Sequence, residues 1–380
     1  MNAGPHRIGF VVGLDWDFPG GVQRVTRRLA QAQARQGREV HVLALGKAGA
    51  DASEAWEAGV CVRRLACLPQ DAECRGFDSL NLQPQKEQEV LRWTRLHALE
   101  HLHLQHLSAF GLGLPPLLRE QGISFDWTLH DYHAVCPRGQ MWSVDGEACA
   151  EIDLPRCADC WSRTWPQLGA ATEASKAVER RQALMVKAIE SCERVLVPSE
   201  GAIEQFLRCG VPSAKLQVEP NVVDKPIWLP PRRPFDPSHV RVGVLGSVQP
   251  SKGVLELARW VADLGEPFSL EVYGPLSDYH GDESYGDAFR SLLREEPRVR
   301  WHGTYGPSDL PLIFAGLDLV CVPSLWEEVF GLVAYEAALA GLPVFVTDRG
   351  GLQESPGHAL AAGDADVWKG ALKRFVEDKA

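Results

Sequence analysis

The chain has 380 residues, of which 45% are hydrophobic and 23% are charged, and its formal net charge is −11. This length exceeds what one hydrophobic core usually supports, so we expect two domains with the composition of a soluble globular protein. The negative charge disfavours nucleic acid and anionic lipid headgroups as partners, so any anionic ligand needs a local binding site.

The N-terminal segment "MNAGPHRIGFVVGLDW" turns polar soon after a short apolar run, unlike a secretory signal peptide. No window of the sequence holds the ~18 consecutive apolar residues of a membrane-spanning helix. We therefore expect a cytoplasmic protein. Disulfides rarely persist in the cytoplasm, so the ten cysteines need another explanation.

In the first half of the chain, short runs rich in valine, isoleucine and leucine alternate with stretches of helical period. "RIGFVVG" predicts a strand, and a turn at Gly20 and Gly21 leads into a helix that ends near Gly37. Further strands are predicted at "REVHVLAL", "LEHLHLQHL", "SFDWTLHDY" and "RVLVPS", with a helix at "LGLPPLLREQG". This alternation is typical of βα units, so residues 1–220 are predicted to form a Rossmann-like α/β domain.

Residues 221–238 interrupt the alternation, because the run "NVVDKPIWLPPRRPFDPSH" contains five prolines. We interpret this run as an interdomain linker. Residues 239–380 then return to strand patterns at "VRVGVLGSV", "FSLEVYG", "RVRWHGTY", "LDLVCVPS" and "LPVFVTD", which predicts a second Rossmann-like domain. Two such α/β domains facing each other leave a cleft at the carboxyl ends of their sheets, where open α/β sheets bind ligands.

Two carboxylates, Glu328 and Glu336, lie eight positions apart in "WEEVFGLVAYEAALAGLPVFVTD". A helix is predicted to begin after Gly331, and the free amides at its N-terminus attract phosphate or sugar oxygens. Carboxylates only accept hydrogen bonds, which suits them to sugar hydroxyls. Glu336 lies in a helix otherwise nearly devoid of charge, so we expect that helix to be buried nearly all round and the carboxylate to need a partner.

The stretch "PSLWEEVFGLVAYEAALAGLPV", from Pro323 to Val344, resembles the E-x7-E motif of the GT-B glycosyltransferases of family 4. Members of that family are retaining enzymes that use nucleotide-sugar donors. The similarity extends to "PGGVQRVTRRLAQAQARQGREVHVL", "LHDY", "GSVQPSKG" and "YGP". The resemblance implies transfer of a sugar from a nucleotide-sugar to a glycan, lipid-linked or small-molecule acceptor, with no catalytic cofactor and no metal at the donor phosphate.

The same resemblance implies three catalytic residues. His130 would face the donor sugar, Lys252 would neutralise the pyrophosphate and Glu328 would hold hydroxyls of the transferred sugar. The donor-binding residues it implies are Gly20, Gly21, Ser247, Lys252, Glu328, Val329, Phe330, Gly331, Leu332 and Glu336.

Within that set, Glu336 would bind the ribose. Ser247 stands where the family often has an arginine, so one cation is missing unless Arg349 or another side chain supplies it. On the acceptor side, His106 and Asp131 are the expected contacts, and an acceptor carried by a lipid would bring the protein to a membrane surface.

Four cysteines lie within an insertion at residues 136–160: Cys136, Cys149, Cys157 and Cys160. Their x12, x7, x2 spacing, ending in a Cys-x-x-Cys pair, suits a structural Zn²⁺ site, and relatives carry a similar insertion after "HDY". The alternative is four unrelated thiols. The loop has few apolar residues, so we expect a metal to supply its folding energy.

Two other functions fit the same architecture. A GT-B nucleotide-sugar epimerase would use the same donor, although an evident acid–base pair is missing from the first domain. A catalytically weak nucleotide-sugar-binding module would account for Ser247. The chain stops at "WKGALKRFVEDKA", so it is possible to interpret it as part of a longer polypeptide.

Overall fold

The computed structural model of the chain describes residues 6–66, 76–225 and 228–379. The chain divides into two compact units, Met1–Asp145 with Cys149–Val222 and Val223–Ala380 with Gly146–Ala148. Each unit is built on one largely parallel sheet with helices packed against it. The predicted pair of Rossmann-like α/β domains is therefore confirmed.

In the first unit, the described residues form a sheet with the strand order β3-β4-β2-β1-β5-β6-β7-β8. Its elements are β1 (Arg7–Val12), α1 (Gly21–Arg35), β2 (Glu39–Leu45), β3 (Ser53–Glu57), β4 (Val60–Leu65), α2 (Pro84–Leu96), β5 (His101–Leu104), α3 (Leu114–Glu120), β6 (Ser124–Thr128), α4 (Leu154–Thr164), α5 (Ala171–Ser191), β7 (Arg194–Val197), α6 (Glu200–Arg208) and β8 (Leu216–Val218).

The central strands of this sheet are nearly continuous apolar runs. β1 lies between β2 and β5 and is parallel to both, with Ile8 opposite Val40 on one side and His101 on the other. Its residues after Arg7 are buried, as expected for a parallel strand covered on both faces. The edge differs, because β3 is antiparallel to β4 and is mostly exposed.

In the second unit, all strand pairs are parallel and the order is β11-β10-β9-β12-β13-β14 among the described residues. Its elements are β9 (Val240–Leu245), α7 (Val254–Leu264), β10 (Phe268–Tyr273), α8 (Ser284–Glu295), β11 (Val299–Trp301), α9 (Leu310–Gly316), β12 (Leu319–Val322), α10 (Leu332–Leu339), β13 (Val344–Thr347), β14 (His358–Leu360) and α11 (Ala365–Glu377).

Parallel strands present their carboxyl ends at one edge of the sheet, and this property places the candidate functional residues. The loops after β5 and β6 meet at that edge of the first sheet. In the second sheet, the loops after β9, β12 and β13 meet in the same way. Both edges are where open α/β sheets bind ligands.

Several elements differ from the sequence-based expectations. β5 covers only His101–Leu104, because the residues after Leu104 turn away to form polar contacts. The hairpin partner β3 and the long helix α5 have no counterpart among the predicted elements. None of the helices in the described part of the chain is both long and apolar enough to span a membrane.

Candidate active site

Two loops at the edge of the second sheet are joined by their backbones. The loop after β9 accepts a hydrogen bond at the carbonyl of Ser251 from the amide of Leu325, in the loop after β12, at 2.8 Å. Gly253 has φ +65°, and a Cβ on it would lie 2.1 Å from the carbonyl oxygen of Pro323. A side chain at this position would force the loops apart, so glycine keeps Lys252 beside residues 323–328.

This join brings together two of the predicted catalytic residues. The Nζ of Lys252 lies 2.5 Å from Oε1 of Glu328, and the hydroxyl of Ser324 donates to the same oxygen at 2.7 Å. The side chain of Glu328 is only 9% exposed, whereas that of Lys252 is 25% exposed. The carboxylate is therefore held in place, and the ammonium group still reaches solvent, where a ligand could meet it.

A second cation-stabilising contact comes from an aromatic ring. Lys252 Nζ lies 4.9 Å from the centroid of the Trp326 ring, within the range of a cation–π interaction. Neither Trp326 nor Ser324 was singled out in the sequence. Both precede Glu328 in "PSLWEE", and this closeness in sequence to a predicted site residue was the signal that could have identified them.

The loop after β13 is attached to the same region. The amide of Gly350 donates to Glu327 Oε2 at 2.7 Å, and that of Gly351 donates to the Glu328 carbonyl at 2.6 Å. Arg349 pairs with Glu327, with Nη1 and Oε1 3.0 Å apart. Arg349 therefore neutralises a neighbouring carboxylate, which does not support its candidacy as the second phosphate cation. Ser247 lies half-buried after β9.

The helix after Glu328 begins where expected. Gly331 is the N-cap of α10 with φ +80°, and a Cβ on it would lie 2.3 Å from Leu352 Cδ2. Glycine is thus required by both conformation and space. Val329 and Phe330, which precede it, are buried. The first amides of α10, starting at Leu332, lie at a helix N-terminus, where anions are stabilised.

Burial of α10 is less complete than the sequence indicates. Its buried residues are Ala334, Glu336 and Ala337, whereas Leu339 is 38% exposed. The helix thus places a carboxylate that is 3% exposed on its inner face and a leucine on its outer face. Burying a charge at the expense of an apolar side chain is costly, which marks Glu336 as a residue selected for something other than packing.

At the edge of the first sheet, the conformation of the glycine pair differs from the predicted turn. Gly20 is the N-cap of α1 with φ −87°, and Gly21 is the first residue of the helix. The backbone conformation of Gly20 is open to any residue, and a Cβ on it would lie 2.7 Å from the end of the flexible Gln23 side chain, so neither feature requires glycine there. Their contact with a donor stays a prediction.

The predicted acceptor residues form an ion pair. His106 Nε2 lies 2.9 Å from Asp131 Oδ2, and the other carboxylate oxygen accepts from the amide of His133 at 2.8 Å. Burial opposes charge on His106, but Asp131 outweighs it and raises the pKa of the imidazole. Although burial acts in the opposite direction, His106 and His133 lower the pKa of Asp131 to about 2. Ser108, not singled out in the sequence, lies 2.9 Å from His106 Nδ1.

His130 contacts a residue that the sequence did not single out. Its Nε2 lies 2.8 Å from Oε1 of Gln105, whose side chain is completely buried. Burial, followed by the neighbouring His106 and His103, lowers the pKa of His130 to about 3. His130 is therefore uncharged near neutral pH. Gln105 lies directly after β5 and directly before the predicted His106, and polarity at that position was its only signal.

The four cysteines of the insertion are neighbours in space. Burial, and then the other three thiols, raise the pKa of Cys157 to about 12. Cys209, which lies outside the insertion, is also close to Cys136: burial first, and then Cys136, raise the pKa of its thiol. However, no group of three or more histidine, cysteine or acidic side chains is arranged to hold a metal ion in the ranges that the structure describes. The thiols as placed do not fit metal ligation, and the zinc site stays a prediction.

Hydrophobic packing also acts on this insertion, and the expectation that a metal supplies its folding energy stays a prediction. Cys157 and Cys160 lie one turn apart on α4, a helix capped by the Asp153 side chain. Trp161 on the same helix is 2% exposed and belongs to an apolar cluster with Phe77. Packing of α4 against α5 therefore contributes to the order of the C-terminal end of the insertion by ordinary hydrophobic burial.

Comparison with known proteins identifies sequence relatives for both units. Residues 19–225 match the family described as Glycosyltransferase Family 4, and residues 239–378 match Glycosyl transferases group 1. The D-inositol 3-phosphate glycosyltransferase of Corynebacterium glutamicum (strain R) is 32% identical over 157 residues, which are 37% of this chain and 36% of the relative. That of Mycobacterium marinum (strain ATCC BAA-535 / M) is 25% identical, covering 50% and 44%. The chain thus matches less than half of the length of these curated relatives.

Solved structures resemble the whole chain. The sucrose-phosphate synthase (tll1590) from Thermosynechococcus elongatus has a TM-score of 0.73 at 19% identity, covering 98% of this chain and 90% of that one. Anabaena HepE in complex with UDP-glucose has a TM-score of 0.67 at 17% identity, with the same coverage. At these identities, the likeness establishes the GT-B fold.

Proposed function

Since the chain belongs to glycosyltransferase family 4, we propose that it transfers a sugar from a nucleotide-sugar donor to an acceptor, with retention of the anomeric configuration. The observation that carries this proposal is the pairing of Lys252 with Glu328 beside the N-terminus of α10. A cation, the amides at a helix N-terminus and a held carboxylate are the groups that a diphosphate and a sugar need.

Each group has a distinct part in the proposed reaction. Lys252 neutralises the diphosphate, which gains negative charge as the bond to the sugar breaks. Glu328 accepts hydrogen bonds from hydroxyls of the transferred sugar. Glu336 accepts from the ribose, and the amides of residues 329–332 stabilise the phosphates.

The first unit supplies the acceptor side of this proposal. His130 offers a hydrogen bond to the donor sugar, and His106 with Asp131 binds the acceptor. The donor phosphate takes the proton of the attacking hydroxyl on the face from which the nucleotide leaves, so a protein nucleophile is not required. Positioning and electrostatic stabilisation then provide the catalysis, and no metal ion is needed at the diphosphate.

The donor is proposed to carry a uridine diphosphate, because the similar HepE structure contains UDP-glucose. The acceptor is a glycan, a lipid-linked sugar or a small molecule. The name of the curated relatives, D-inositol 3-phosphate glycosyltransferase, makes a phosphorylated polyol the first small molecule to test.

The first experiment is a thermal-shift screen with UDP, GDP, ADP, CMP, dTDP and their sugars. A ligand present at a hundred times its dissociation constant adds about 2.7 kcal/mol of stability, so the matching nucleotide should stand out. Stabilisation by none of these ligands would contradict the proposal. Release of nucleoside diphosphate in the presence of acceptors then tests transfer, whereas an epimerised donor without acceptor would identify an epimerase.

The second experiment replaces Lys252 by methionine. We expect turnover to fall about a hundredfold and donor affinity to fall much less, because the cation meets more negative charge in the transition state. Lys369→Met is the matched control. That lysine lies in the same unit with a similar exposed fraction, 27%, and pairs with Asp263 at 3.7 Å. Equal losses in turnover and affinity would mean that another residue holds the diphosphate.

A further inference from the structure

The side chain of Gln105 connects His130 to helix α1. Gln105 is completely buried, and its Oε1 lies 2.8 Å from His130 Nε2. On its other side, the hydroxyl of Thr26 in α1 lies 3.3 Å from the same oxygen. Thr26 is also completely buried, so this set of hydrogen bonds is shielded from bulk solvent.

With the Gln105 amide in this orientation, donors and acceptors around it are not matched. The single hydroxyl hydrogen of Thr26 is committed to the carbonyl of Val22, which is closer at 2.8 Å. Thr26 therefore offers Gln105 a lone pair, not a hydrogen. Meanwhile, the NH₂ group of Gln105 is buried with no partner among the described residues. Leaving both hydrogens of this group unpaired in a buried site is unfavourable.

Rotating the amide by 180° resolves the imbalance without moving any other atom. The oxygen and nitrogen of a glutamine amide have nearly the same shape, so the partners decide their placement. The NH₂ group then donates one hydrogen to Thr26 Oγ1 and the other to His130 Nε2. Only a carbonyl oxygen is left unpaired, which buried sites tolerate better than an unpaired donor.

We infer that Gln105, anchored by Thr26, donates to Nε2 of His130 and thereby fixes this histidine as the neutral tautomer with its hydrogen on Nδ1. The hydrogen bond at one ring nitrogen determines which nitrogen carries the proton. Nδ1 of His130 makes no hydrogen bond within the described residues and is not among their buried unpaired atoms, so it faces solvent.

The surroundings of His130 also favour its neutral form. A second proton would have to sit on Nε2, where it would point at the Gln105 NH₂ group. His106 and His103 also disfavour a positive charge on His130, and Asp131 is the group that favours it. Burial adds to the disfavouring side, and the pKa of His130 is lowered to about 3. His130 is thus a hydrogen-bond donor at neutral pH and not a general base.

The role of this donor rests on the proposed function. There, the Nδ1 hydrogen is offered to an oxygen of the donor sugar, and Gln105 and Thr26 are positioning residues that act through His130. Neither touches the substrate. Their chemistry therefore predicts an effect on turnover that exceeds any effect on donor binding.

The test is the nitrogen NMR spectrum of the full chain carrying ¹⁵N-labelled histidine, with His130→Asn used to assign the signals. We expect a protonated, pyrrole-like Nδ1 and a pyridine-like Nε2 for His130, unchanged between about pH 5 and pH 8. A protonated Nε2 in the wild-type chain, or titration within that range, would overturn the inference.

Two variants sharpen the test. The carboxylate of Gln105→Glu can only accept, so the tautomer should reverse and the His130 pKa should rise. Gln105→Met keeps the volume and removes the donor, so His130 should become a mixture of tautomers. Protonation on Nδ1 that persists in Gln105→Glu would show that Gln105 does not set the tautomer and would overturn the inference.

Turnover of the same variants gives an independent reading. Both should lower kcat about ten- to a hundredfold, the usual effect of removing a partner that orients a functional histidine, with KM for the donor changed less than about threefold. If the wild-type chain transfers no sugar, the proposed function fails, and the spectrum still decides the tautomer.

Discussion

The ion pair between Lys252 and Glu328 gives the most quantitative prediction of the second unit. Replacing Lys252 by methionine leaves the carboxylate of Glu328, whose side chain is 9% exposed, with the Ser324 hydroxyl as its one remaining hydrogen-bond donor among the described residues. Replacing Glu328 by glutamine leaves the ammonium group of Lys252, whose flexible side chain is 25% exposed and can turn to water. The lysine variant should therefore be the less stable of the two.

The magnitude follows from the burial of the two partners. Breaking a fully buried pair costs about 3–5 kcal/mol, and an exposed pair contributes about 0–1 kcal/mol. A pair with one buried and one part-exposed member lies between these limits. We expect a loss of about 2 kcal/mol for Lys252→Met and about 1 kcal/mol for Glu328→Gln. The double variant should lose about 1 kcal/mol less stability than the sum of the two single losses, because each single change already breaks the same ion pair.

Calorimetric unfolding of the full chain measures these differences. For a unit of this size, 1 kcal/mol corresponds to about 2–4 °C, so Lys252→Met should lower the Tm of the second unit by about 4–8 °C. Lys369→Met is again the control, because its partner Asp263 is 65% exposed and 3.7 Å away. Its effect should stay within about 0.5 kcal/mol.

Two results would refute this reasoning. Additive losses in the double variant would mean that Lys252 and Glu328 do not interact in solution. A Tm change in Lys369→Met as large as that in Lys252→Met would mean that the loss of any lysine from this unit has the same effect.

Three further predictions concern other residues. Glu336→Gln should weaken UDP binding by about 1.5–3 kcal/mol in calorimetry, the value of a charge-assisted hydrogen bond, and unchanged affinity would contradict its ribose role. Asp131→Asn should lower the His106 pKa in an NMR titration, because burial, which disfavours the charged imidazole, is then unopposed. In the wild type the His106 pKa is raised, so the His106–Asp131 pair stabilises the fold below about pH 6.5. This contribution is lost as the pH rises through the folded-state pKa of His106. Gly253→Ala should lower the free energy of unfolding, measured with denaturant, by at least about 2 kcal/mol, because φ is +65° and a carbonyl oxygen lies 2.1 Å from the new Cβ. Gly281→Ala is the control: φ is +88° but no atom lies within 4 Å of the new Cβ, so the loss should be only about 1 kcal/mol. Equal losses in the two variants would show that the loop contact is unimportant.

Local periodicity was sufficient to predict the strand–helix alternation and the parallel sheets. Hydrophobic runs and helix-stop glycines act over a few residues, and each predicted strand at the core of the two sheets is present. Parallel topology then brings the loops after β9 and β12 to one edge, so the proximity of Lys252 and Glu328, 76 positions apart, followed from motif and fold together. Hairpin strand β3 was missed because it is mostly exposed and lacks an apolar pattern.

Tertiary structure alone decided which polar atoms meet. His130 and Gln105 are 25 positions apart, and their contact depends on the register between β5 and β6. Arg349 could have faced a phosphate, but the fold of the loop after β13 pairs it with Glu327. Likewise, cysteine spacing predicted that the thiols of the insertion are neighbours, whereas metal ligation depends on distances between sulfur atoms. Side-chain partners are fixed by packing between segments distant in the chain, because hydrogen bonds and ion pairs need sub-ångström placement that local patterns do not encode.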